Sequence, residues 1–291
     1  MSASPREMSA AGNAPRQIES IRTVARDFDL FLIDQFGVLH DGAKPFAGAI
    51  DLLRWLRQQD KPIVLLTNSA KSAEANSERL AALGVPRDLF DRMLTSGDVA
   101  RRNIATGRLP APFRPGARVL VVGKEGDDYQ LEAAALQRVK PGQPCDFVLF
   151  AGSSVPEVSM TDYRRQLEPL AASIPGLCCN PDLTMLTPSG PHPGCGALAK
   201  LYCDLGGTIV WVGKPQVAFF EEACNLFGPM LRARTLVIGD SLEHDIVGGR
   251  RAGLRTALVR TGVHEKLRYA DLTQRMQQIE AVPDFVLRSL M

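Results

Sequence analysis

The residue with the clearest chemical potential in this sequence is Asp34, which ends a short apolar run over residues 31–33. A run of large apolar residues of this length predicts a buried parallel strand. Ligands bind at the carboxyl ends of such strands in open α/β sheets, and a carboxylate placed there can attack phosphorus to form an aspartyl-phosphate. An aspartate that opens a turn gives the same local pattern. Asp34 alone therefore leaves both interpretations open.

Polar residues of complementary chemistry follow three further apolar runs. Thr67 and Asn68 follow one run, Lys214 follows another, and Asp240 follows a third, with Asp245 five positions later. Phosphoryl transfer needs neutral donors and a fixed cation for the phosphate oxygens, and carboxylates for Mg²⁺. Each piece alone is also typical of a helix cap or a turn. Their joint occurrence, each at the end of a predicted strand, favours phosphoryl transfer.

The elements that must position these residues alternate between strand and helix. Strands are predicted at residues 31–34, 62–66, 119–122, 147–150, 209–212, 236–238 and 256–259, and helices at 46–56 and 72–83. This alternation predicts an α/β fold, a parallel sheet with helices on both faces. Because parallel strands bring their carboxyl ends to one edge, the polar residues are expected to meet there.

Two junctions indicate an inserted domain. A proline-rich stretch at residues 108–115 is the first, and a glycine pair at 206–207 is the second. The segment between them has strands of its own. We therefore expect a loose tail over residues 1–18, a catalytic core over 19–99 and 207–291, and an inserted cap over 100–206.

Composition restricts the partners and the compartment. The formal net charge is +2 over 291 residues, which does not favour binding to nucleic acid. The sequence has no apolar run of the ~20 residues that span a bilayer, and its start lacks the apolar segment of a signal peptide. Six cysteines in a chain of this length fit a reducing compartment. The expectation is a cytoplasmic protein without a membrane or nucleic-acid partner.

These motifs resemble those of the haloacid dehalogenase-like (HAD) hydrolase superfamily, specifically the NagD-like phosphatases of class IIA. The superfamily motifs match at Asp34, Thr67, Lys214 and the pair Asp240 and Asp245. The class IIA features are Leu-Thr-Asn-Ser at 66–69, Val-Gly-Lys-Pro at 212–215, Thr-Gly-Val at 261–263 and Asn-Pro-Asp at 180–182. The resemblance covers nearly everything after the tail.

The resemblance implies a Rossmann-like core, a class IIA cap, Mg²⁺ as cofactor and hydrolysis of a small phosphorylated metabolite, such as a sugar phosphate. A homodimer through the cap is compatible with it. The implied site residues are Asp34 and Lys214 for catalysis; Thr67, Asn68 and Lys214 for phosphate; Asp34, the backbone carbonyl of Phe36, Asp240 and Asp245 for metal; and Asn180 and Asp182 on the cap, facing substrate.

Phe36 is a departure from the family pattern, in which a second aspartate two residues after the nucleophile acts as acid and base. Such help is typically worth 10²–10⁴-fold. Three hypotheses follow: a phosphatase for good leaving groups or with His40 or Asp41 as the acid, altered chemistry, or a non-catalytic protein that binds a phosphometabolite. Dehalogenases carry an aromatic residue at this position, but they need no metal and have a smaller cap.

The Asn-Pro-Asp segment of the cap has two interpretations. Its likeness to the class IIA segment that faces the active site predicts that Asp182 binds substrate hydroxyls or an amine. A simple Asn-Pro-Asp turn would give the same residues. The sequence does not distinguish a sugar phosphate from other phosphorylated metabolites.

Overall fold

The computed structural model describes residues 14–187, 190–265 and 267–290. Its strands are β1 Arg16–Gln17, β2 Leu30–Asp34, β3 Ile63–Thr67, β4 Arg92–Thr95, β5 Arg118–Val122, β6 Gln137–Val139, β7 Phe147–Phe150, β8 Gly176–Cys178, β9 Thr184–Thr187, β10 Gly190–Pro193, β11 Ile209–Trp211, β12 Thr235–Gly239, β13 Arg255–Val259 and β14 Phe285–Leu287. Its α-helices are α1 Ala49–Gln58, α2 Ala73–Ala82, α3 Ser96–Ala105, α4 Met160–Ala171, α5 Cys195–Asp204, α6 Val217–Asn225, α7 Val247–Arg251 and α8 Tyr269–Gln278.

The core sheet has seven strands in the order β1-β14-β13-β12-β2-β3-β4, and every neighbouring pair is parallel. Strand β2 lies in the middle, between β12 and β3. Asp34 at the end of β2 is level with Leu66 of β3, and Ile33 is level with Ile238 of β12. The α/β fold with a parallel sheet is thus confirmed, and the ends of β2, β3 and β12 meet at one edge.

Strand β2 is buried over its whole length because both faces of the sheet are covered. Leu30 and Leu32 pack into the hydrophobic cluster on one face, and Phe31 and Ile33 pack into the cluster on the other. Successive side chains of a strand point to opposite faces. A strand in this position must be apolar at every residue, which explains the unbroken run before Asp34.

A second sheet has five parallel strands in the order β11-β8-β7-β5-β6. Helices α4 and α5 pack on one of its faces, around Phe150 and Tyr202. Phe113 and Phe147 on the other side belong to the same cluster as Leu30 and Leu32 of the core sheet. The two sheets therefore share apolar packing. Strands β9 and β10 form an antiparallel hairpin beside this sheet.

The prediction that residues 209–212 form a strand of the core sheet is wrong. Ile209–Trp211 do form a strand, β11, but it pairs with β8 at the edge of the second sheet. An apolar run predicts a strand in a parallel sheet without indicating which sheet, and the chain offers two. Lys214 therefore reaches the core edge from the returning strand of the inserted segment. The cap over residues 100–206 remains a proposal. Because β11 pairs with β8, the second sheet extends beyond residue 206 to Trp211.

The beginning of the chain was expected to be a tail over residues 1–18. Residues 1–13 lie outside the described part, so that portion of the expectation is not tested. Arg16–Gln17 form β1, which pairs with β14 at the edge of the core sheet. None of the helices in the described ranges is long and apolar enough to cross a membrane.

Candidate active site

Asp34 lies at the end of β2 with its carboxylate held by a lysine. The Nζ of Lys214 donates to Oδ1 of Asp34 at 2.6 Å and to Oδ1 of Asp245 at 2.7 Å. All three side chains are buried. Burial alone would lower the pKa of Lys214, but the Asp245 and Asp34 carboxylates raise it above its usual value. The lysine is therefore a fixed cation between two acids.

Three carboxylates converge at this edge of the sheet. Asp34, Asp240 and Asp245 are buried, and each offers an oxygen within 4.8 Å of the others. Burial raises the pKa of Asp34 well above its usual range, although Lys214 opposes the shift. Burial and the neighbouring Asp245 carboxylate raise the pKa of Asp240 to about 7. One lysine balances only one of the three buried acids, so all three can be ionised together only with a further cation beside them.

This donor set fits a magnesium ion. Mg²⁺ prefers oxygen ligands, is usually held by one or two carboxylates, and relieves the repulsion between acids that share a site. Among the described residues, the three aspartates are the only group of His, Cys, Asp or Glu side chains close enough to hold a metal. The Phe36 carbonyl as a further ligand remains a prediction. Phe36 itself lies two residues beyond Asp34, where its backbone forms a bridge with His40.

Glycines and a backbone donor fix the Asp240 carboxylate. A Cβ atom at either Gly37 or Gly262 would overlap that carboxylate, and Gly37 also has a φ of +85° that favours glycine. The backbone N–H of Val263 donates to Oδ2 of Asp240 at 2.8 Å. The hydroxyl of Thr261 donates to the carbonyl of Gly37 at 2.6 Å, which ties the two glycine-containing segments together.

The sequence alone assigns no role to Thr-Gly-Val at 261–263, which only resembles a family motif. The structure places them against Asp240, more than twenty residues earlier in the chain. The local signal, a Thr-Gly pair just after the apolar run at 256–259, marks another strand end but does not indicate what it contacts. Their role depends on the parallel pairing of β12 with β13, which brings the two strand ends together.

Thr67 ends β3 and Asn68 follows it at the same edge, as predicted, but the Asn68 side chain is already engaged. Its Oδ1 accepts from the backbone N–H of Lys214 at 2.8 Å, and its Nδ2 donates to the Lys214 carbonyl at 3.2 Å. The same Nδ2 donates to Oδ1 of Asp182 at 2.8 Å. The Thr67 hydroxyl accepts from the backbone N–H of Ser69 at 3.2 Å. Asn68 thus positions Lys214, and phosphate binding by its side chain stays a prediction.

The Asn-Pro-Asp loop of the inserted segment reaches the core. Asp182 contacts Asn68 and lies 3.5 Å from Nδ1 of His244, measured from Oδ1. Asn180 does not contact these core residues through any described hydrogen bond; its Oδ1 accepts from the backbone N–H of Asp182 at 3.3 Å. The N–H of Gly196, in the first turn of α5, donates to the Asp182 carbonyl at 2.9 Å. Asp182 therefore contacts the core at Asn68 and His244, and Asn180 shapes the turn; a substrate-facing role for either residue stays a prediction. His244 was not identified from the sequence.

The flap after Asp34 holds the two residues considered as replacement acids. The Nδ1 of His40 accepts from the N–H of Gly42 at 3.0 Å, and burial, with a contribution from Arg79, lowers the pKa of His40 to about 4. Oδ1 of Asp41 accepts from the N–H groups of Ala43 and Lys44, and these hydrogen bonds lower the pKa of Asp41. At neutral pH His40 is an uncharged imidazole and Asp41 is an ionised carboxylate. Neither residue is therefore in the protonated form that would act as a general acid towards the leaving group.

Phe36 is held on this flap in a defined position. Its ring packs edge-to-face on His40, with centroids 5.7 Å apart and an interplanar angle of 88°. A Cβ atom at Gly42 would lie 3.1 Å from the Phe36 ring. The remaining surface of Phe36 is exposed, 36 % in relative terms. An apolar ring therefore occupies the position at which the family pattern has an acid.

Comparisons with known proteins identify the family of this chain. Residues 31–137 match the model of the haloacid dehalogenase-like hydrolases, and residues 211–291 match a second, HAD-hydrolase-like model. Human chronophin is 30% identical over 89% of this chain and 90% of its own length. The structure of a haloacid dehalogenase-like hydrolase from Brucella suis has a TM-score of 0.78 and 29% identity, covering 94% of this chain and 100% of that one.

A third similar protein was solved with a metal. The glycerol phosphate phosphatase of Mycobacterium tuberculosis in complex with magnesium has a TM-score of 0.69 and 30% identity, covering 92% of this chain and 76% of that one. The family resemblance drawn from the motifs is thus confirmed. The chain belongs to the haloacid dehalogenase-like hydrolases, in the NagD-like class IIA group, and is a phosphoric monoester hydrolase.

Proposed function

We propose that this protein is a Mg²⁺-dependent phosphatase that hydrolyses a small phosphorylated metabolite through an aspartyl-phosphate on Asp34. The observation that carries the proposal is the position of Lys214, whose Nζ lies within hydrogen-bond distance of both Asp34 and Asp245. A nucleophilic carboxylate, a fixed cation and a three-carboxylate metal cluster at one sheet edge are the parts that phosphoryl transfer requires.

In the first step, an oxygen of Asp34 forms a bond to phosphorus while the ester P–O bond breaks and its electron pair leaves with the alcohol oxygen. Lys214 lies where it can neutralise the incoming phosphate and keep Asp34 ionised. The Thr67 hydroxyl at the end of β3 is proposed to donate to a phosphate oxygen. In the second step, water attacks phosphorus, which releases phosphate and restores the Asp34 carboxylate.

The metal site uses the same residues. Held by Asp34, Asp240, Asp245 and the Phe36 carbonyl, Mg²⁺ would supply positive charge opposite the phosphate oxygens. The position of the ion would depend on how the Asp240 carboxylate is held. Gly37 and Gly262 leave room for this carboxylate, and the Val263 N–H orients it. The backbone N–H of Ser241 donates to Oδ2 of Asp245 at 3.2 Å and orients the third acid.

The substrate is proposed to be small and phosphorylated because the similar proteins include an enzyme named for glycerol phosphate. Asp182 is the cap residue proposed to bind its hydroxyl or amine group, since the side chain reaches Asn68 and His244 and is 44% exposed. Asn180 is proposed to support this loop. The cytoplasm, a homodimer through the cap and the absence of nucleic-acid and membrane partners remain predictions.

The test is release of phosphate from p-nitrophenyl phosphate with and without Mg²⁺. This leaving group departs with little need of an acid, so Phe36 does not mask a competent site. We expect activity that requires Mg²⁺ and that Asp34→Asn lowers by at least about a thousandfold. Asp51→Asn is the matched control because Asp51 is an exposed aspartate on α1; it should leave activity unchanged.

The two alternative functions, a non-catalytic binding protein and a dehalogenase, predict different results with the same purified protein. A non-catalytic binding protein would be stabilised by inorganic phosphate without releasing any from the ester. A dehalogenase would release halide from a 2-haloacid without Mg²⁺. A readout independent of turnover is the melting temperature, which Mg²⁺ should raise in the native protein and raise much less in Asp240→Asn.

A further inference from the structure

A cavity of about 440 Å³ lies between the core and the inserted segment. Its walls come from β4 and α3, from Gln130 in the inserted segment, and from Leu226 just after α6. Ligand pockets have volumes of about 300–1,000 Å³ and occur preferentially at domain interfaces. None of the described residues that line this cavity belongs to the candidate active site. Its size and position make it a candidate for a second, separate binding site.

The charged side chains that line the cavity leave one positive charge without a counter-charge. They are three arginines and one aspartate: Arg92, Arg101, Arg102 and Asp98. Arg101 pairs with Asp98, and Arg102 pairs with Glu222 of α6. Arg92 forms no ion pair within the described part of the chain; its Nη1 donates to the adjacent backbone carbonyl of Asp91 at 3.0 Å. The Arg92 guanidinium is therefore the cation that an anionic ligand would meet.

Arg101 holds the two sides of the cavity together. Its Nη1 donates to the Ala70 carbonyl in the core at 3.1 Å and to the Tyr129 carbonyl in the inserted segment at 2.8 Å. The Arg101 side chain is buried, and its other nitrogen is engaged by Asp98. The wall is thus formed before any ligand arrives, which lowers the entropy that binding would cost.

Two further residues of the lining have groups without a protein partner. The side-chain amide of Gln130 makes no hydrogen bond to another described residue, and Gln130 has a φ of +48°. Such a backbone conformation is unfavourable for a residue other than glycine and occurs often at ligand sites. Leu226 is one of the few large apolar side chains exposed in the described ranges, at 37%. The cavity therefore combines a cation, a neutral hydrogen-bonding group and an apolar surface.

We propose that this cavity binds a small monocarboxylate with a short apolar chain, its carboxylate on Arg92 and Gln130 and its chain against Leu226. A guanidinium offers a carboxylate two parallel N–H donors. One unbalanced cation matches one negative charge, whereas the second charge of a phosphate dianion would lack a partner. Covering Leu226 removes apolar surface from water. This site does not depend on the phosphatase function proposed above.

The first test compares three probes: hexanoate, acetate and 1-hexanol. Their dissociation constants are measured by ligand-observed NMR titration of the native protein in the presence of a metal chelator. Without Mg²⁺ the buried acids of the active site disfavour an anion there, so that binding reports the second site. We expect hexanoate to bind with a dissociation constant of about 1 mM, typical of a ligand of this size. Acetate, without the chain, and 1-hexanol, without the charge, should each bind at least about tenfold more weakly.

Variants locate the binding. Arg92→Gln should weaken hexanoate binding about tenfold, the effect of losing a charged hydrogen-bond partner. Arg87→Gln is the matched control because Arg87 is also exposed and lies over the Phe90 ring, 5.0 Å from its centroid, outside the cavity lining; it should keep the native affinity.

A second pair of variants tests the apolar wall. Leu226→Ser should weaken hexanoate binding about threefold and leave acetate binding unchanged, since only the chain contacts this residue. Leu183→Ser, which changes an exposed leucine outside the cavity lining, should have no effect on either probe. Melting temperatures confirm that these surface variants remain folded.

The outcomes separate this proposal from the proposed function. Absence of saturable hexanoate binding, or equal binding by native protein and Arg92→Gln, overturns the carboxylate site and leaves the phosphatase untouched. Binding of 1-hexanol as tight as that of hexanoate shows a merely apolar cavity and also overturns it. In the hydrolysis of p-nitrophenyl phosphate with Mg²⁺, hexanoate should not compete with substrate. Competitive inhibition with a constant equal to the dissociation constant would place hexanoate in the active site and show the proposal to be wrong.

Discussion

The two sides of the active site differ in how their polar groups are satisfied. On the core side, Asp34, Asp240, Asp245 and Lys214 are buried, and described hydrogen bonds or ion pairs engage all four. On the cap side, Asp182 is 44% exposed and Leu183 is 50% exposed. Buried charges interact in a low dielectric and are held rigidly, whereas exposed groups are screened and free to adapt. We therefore expect substitutions on the core side to change the reaction itself, and substitutions on the cap side to change mainly the choice of substrate.

The largest expected effect comes from removing the buried cation. Lys214→Met leaves Asp34 and Asp245 without their shared partner, and breaking a buried pair on one side typically costs about 3–5 kcal/mol. We expect the free energy of unfolding to fall by that order in the absence of metal. Hydrolysis of p-nitrophenyl phosphate should fall by at least about a thousandfold.

Lys61→Met is the matched control for Lys214→Met. Lys61 pairs with Asp29 at 3.5 Å and donates to the Phe28 carbonyl at 2.7 Å near the opposite end of β2, and both side chains of the pair are partly exposed. The loss of the pair costs about 0–1 kcal/mol and the loss of the hydrogen bond about 0.5–1.5 kcal/mol, and activity should be retained. Denaturant unfolding and steady-state kinetics measure both variants. Equal destabilisation by the two substitutions would contradict the contrast between a buried and a screened cation.

The second-largest effect is expected from a substitution at Gly262, where the backbone lies against the Asp240 carboxylate. In Gly262→Ala the added methyl group would overlap the Asp240 carboxylate, which must then move. We expect the concentration of Mg²⁺ at half-maximal activity to rise about 10–100-fold, the cost typical of disturbed metal-ligand orientation. Titration calorimetry with Mg²⁺ gives the same quantity without turnover.

Gly207→Ala is the control for a steric overlap that does not involve the carboxylates. Its Cβ would overlap the ring of Tyr202 in the inserted segment, away from the acids. This variant should melt at a lower temperature but keep the native response to Mg²⁺. A folded Gly262→Ala protein with native Mg²⁺ affinity would show that Asp240 tolerates displacement and that the core side is less rigid than the structure indicates.

The local sequence pattern predicted individual strands better than it predicted contacts between distant parts of the chain. The apolar run before Asp34 predicted the strand, because a central strand buried on both faces admits only apolar residues. The sheet to which Ile209–Trp211 belong was not predictable from the sequence. The residue types of a three-residue edge strand do not indicate which strand it pairs with. The engagement of Asn68 with Lys214 was likewise hidden, because it joins residues 146 positions apart.

Asn68 connects the two sides, and its removal is expected to have an intermediate effect. Asn68→Ala leaves the backbone of Lys214 without two hydrogen bonds and removes one of the two core contacts of Asp182, leaving the contact with His244. We expect kcat/KM for p-nitrophenyl phosphate to fall about tenfold, corresponding to one or two lost hydrogen bonds. Asn76→Ala is the control: Asn76 is also buried, but its amide donates to the Ser72 carbonyl in α2. Similar kinetics for both variants would mean that Asn68 does not position Lys214.

The smallest effect is expected on the cap side, for Asp182→Asn. The variant keeps an oxygen that can accept from Asn68 and removes only the charge facing His244. Partly exposed charges contribute up to about 1 kcal/mol, so a cationic group beyond the phosphate should lose about two- to fivefold in binding. The measurement compares aminomethylphosphonate with methylphosphonate as competitive inhibitors, while kcat for p-nitrophenyl phosphate stays near the native value. Asp128→Asn, which changes an aspartate of the inserted segment that caps the Gln130 N–H, should leave the ratio of the two inhibitors unchanged. A fall in kcat/KM for p-nitrophenyl phosphate as large as that of Asn68→Ala would give Asp182 a role in the reaction itself and remove the distinction between a core that reacts and a cap that selects.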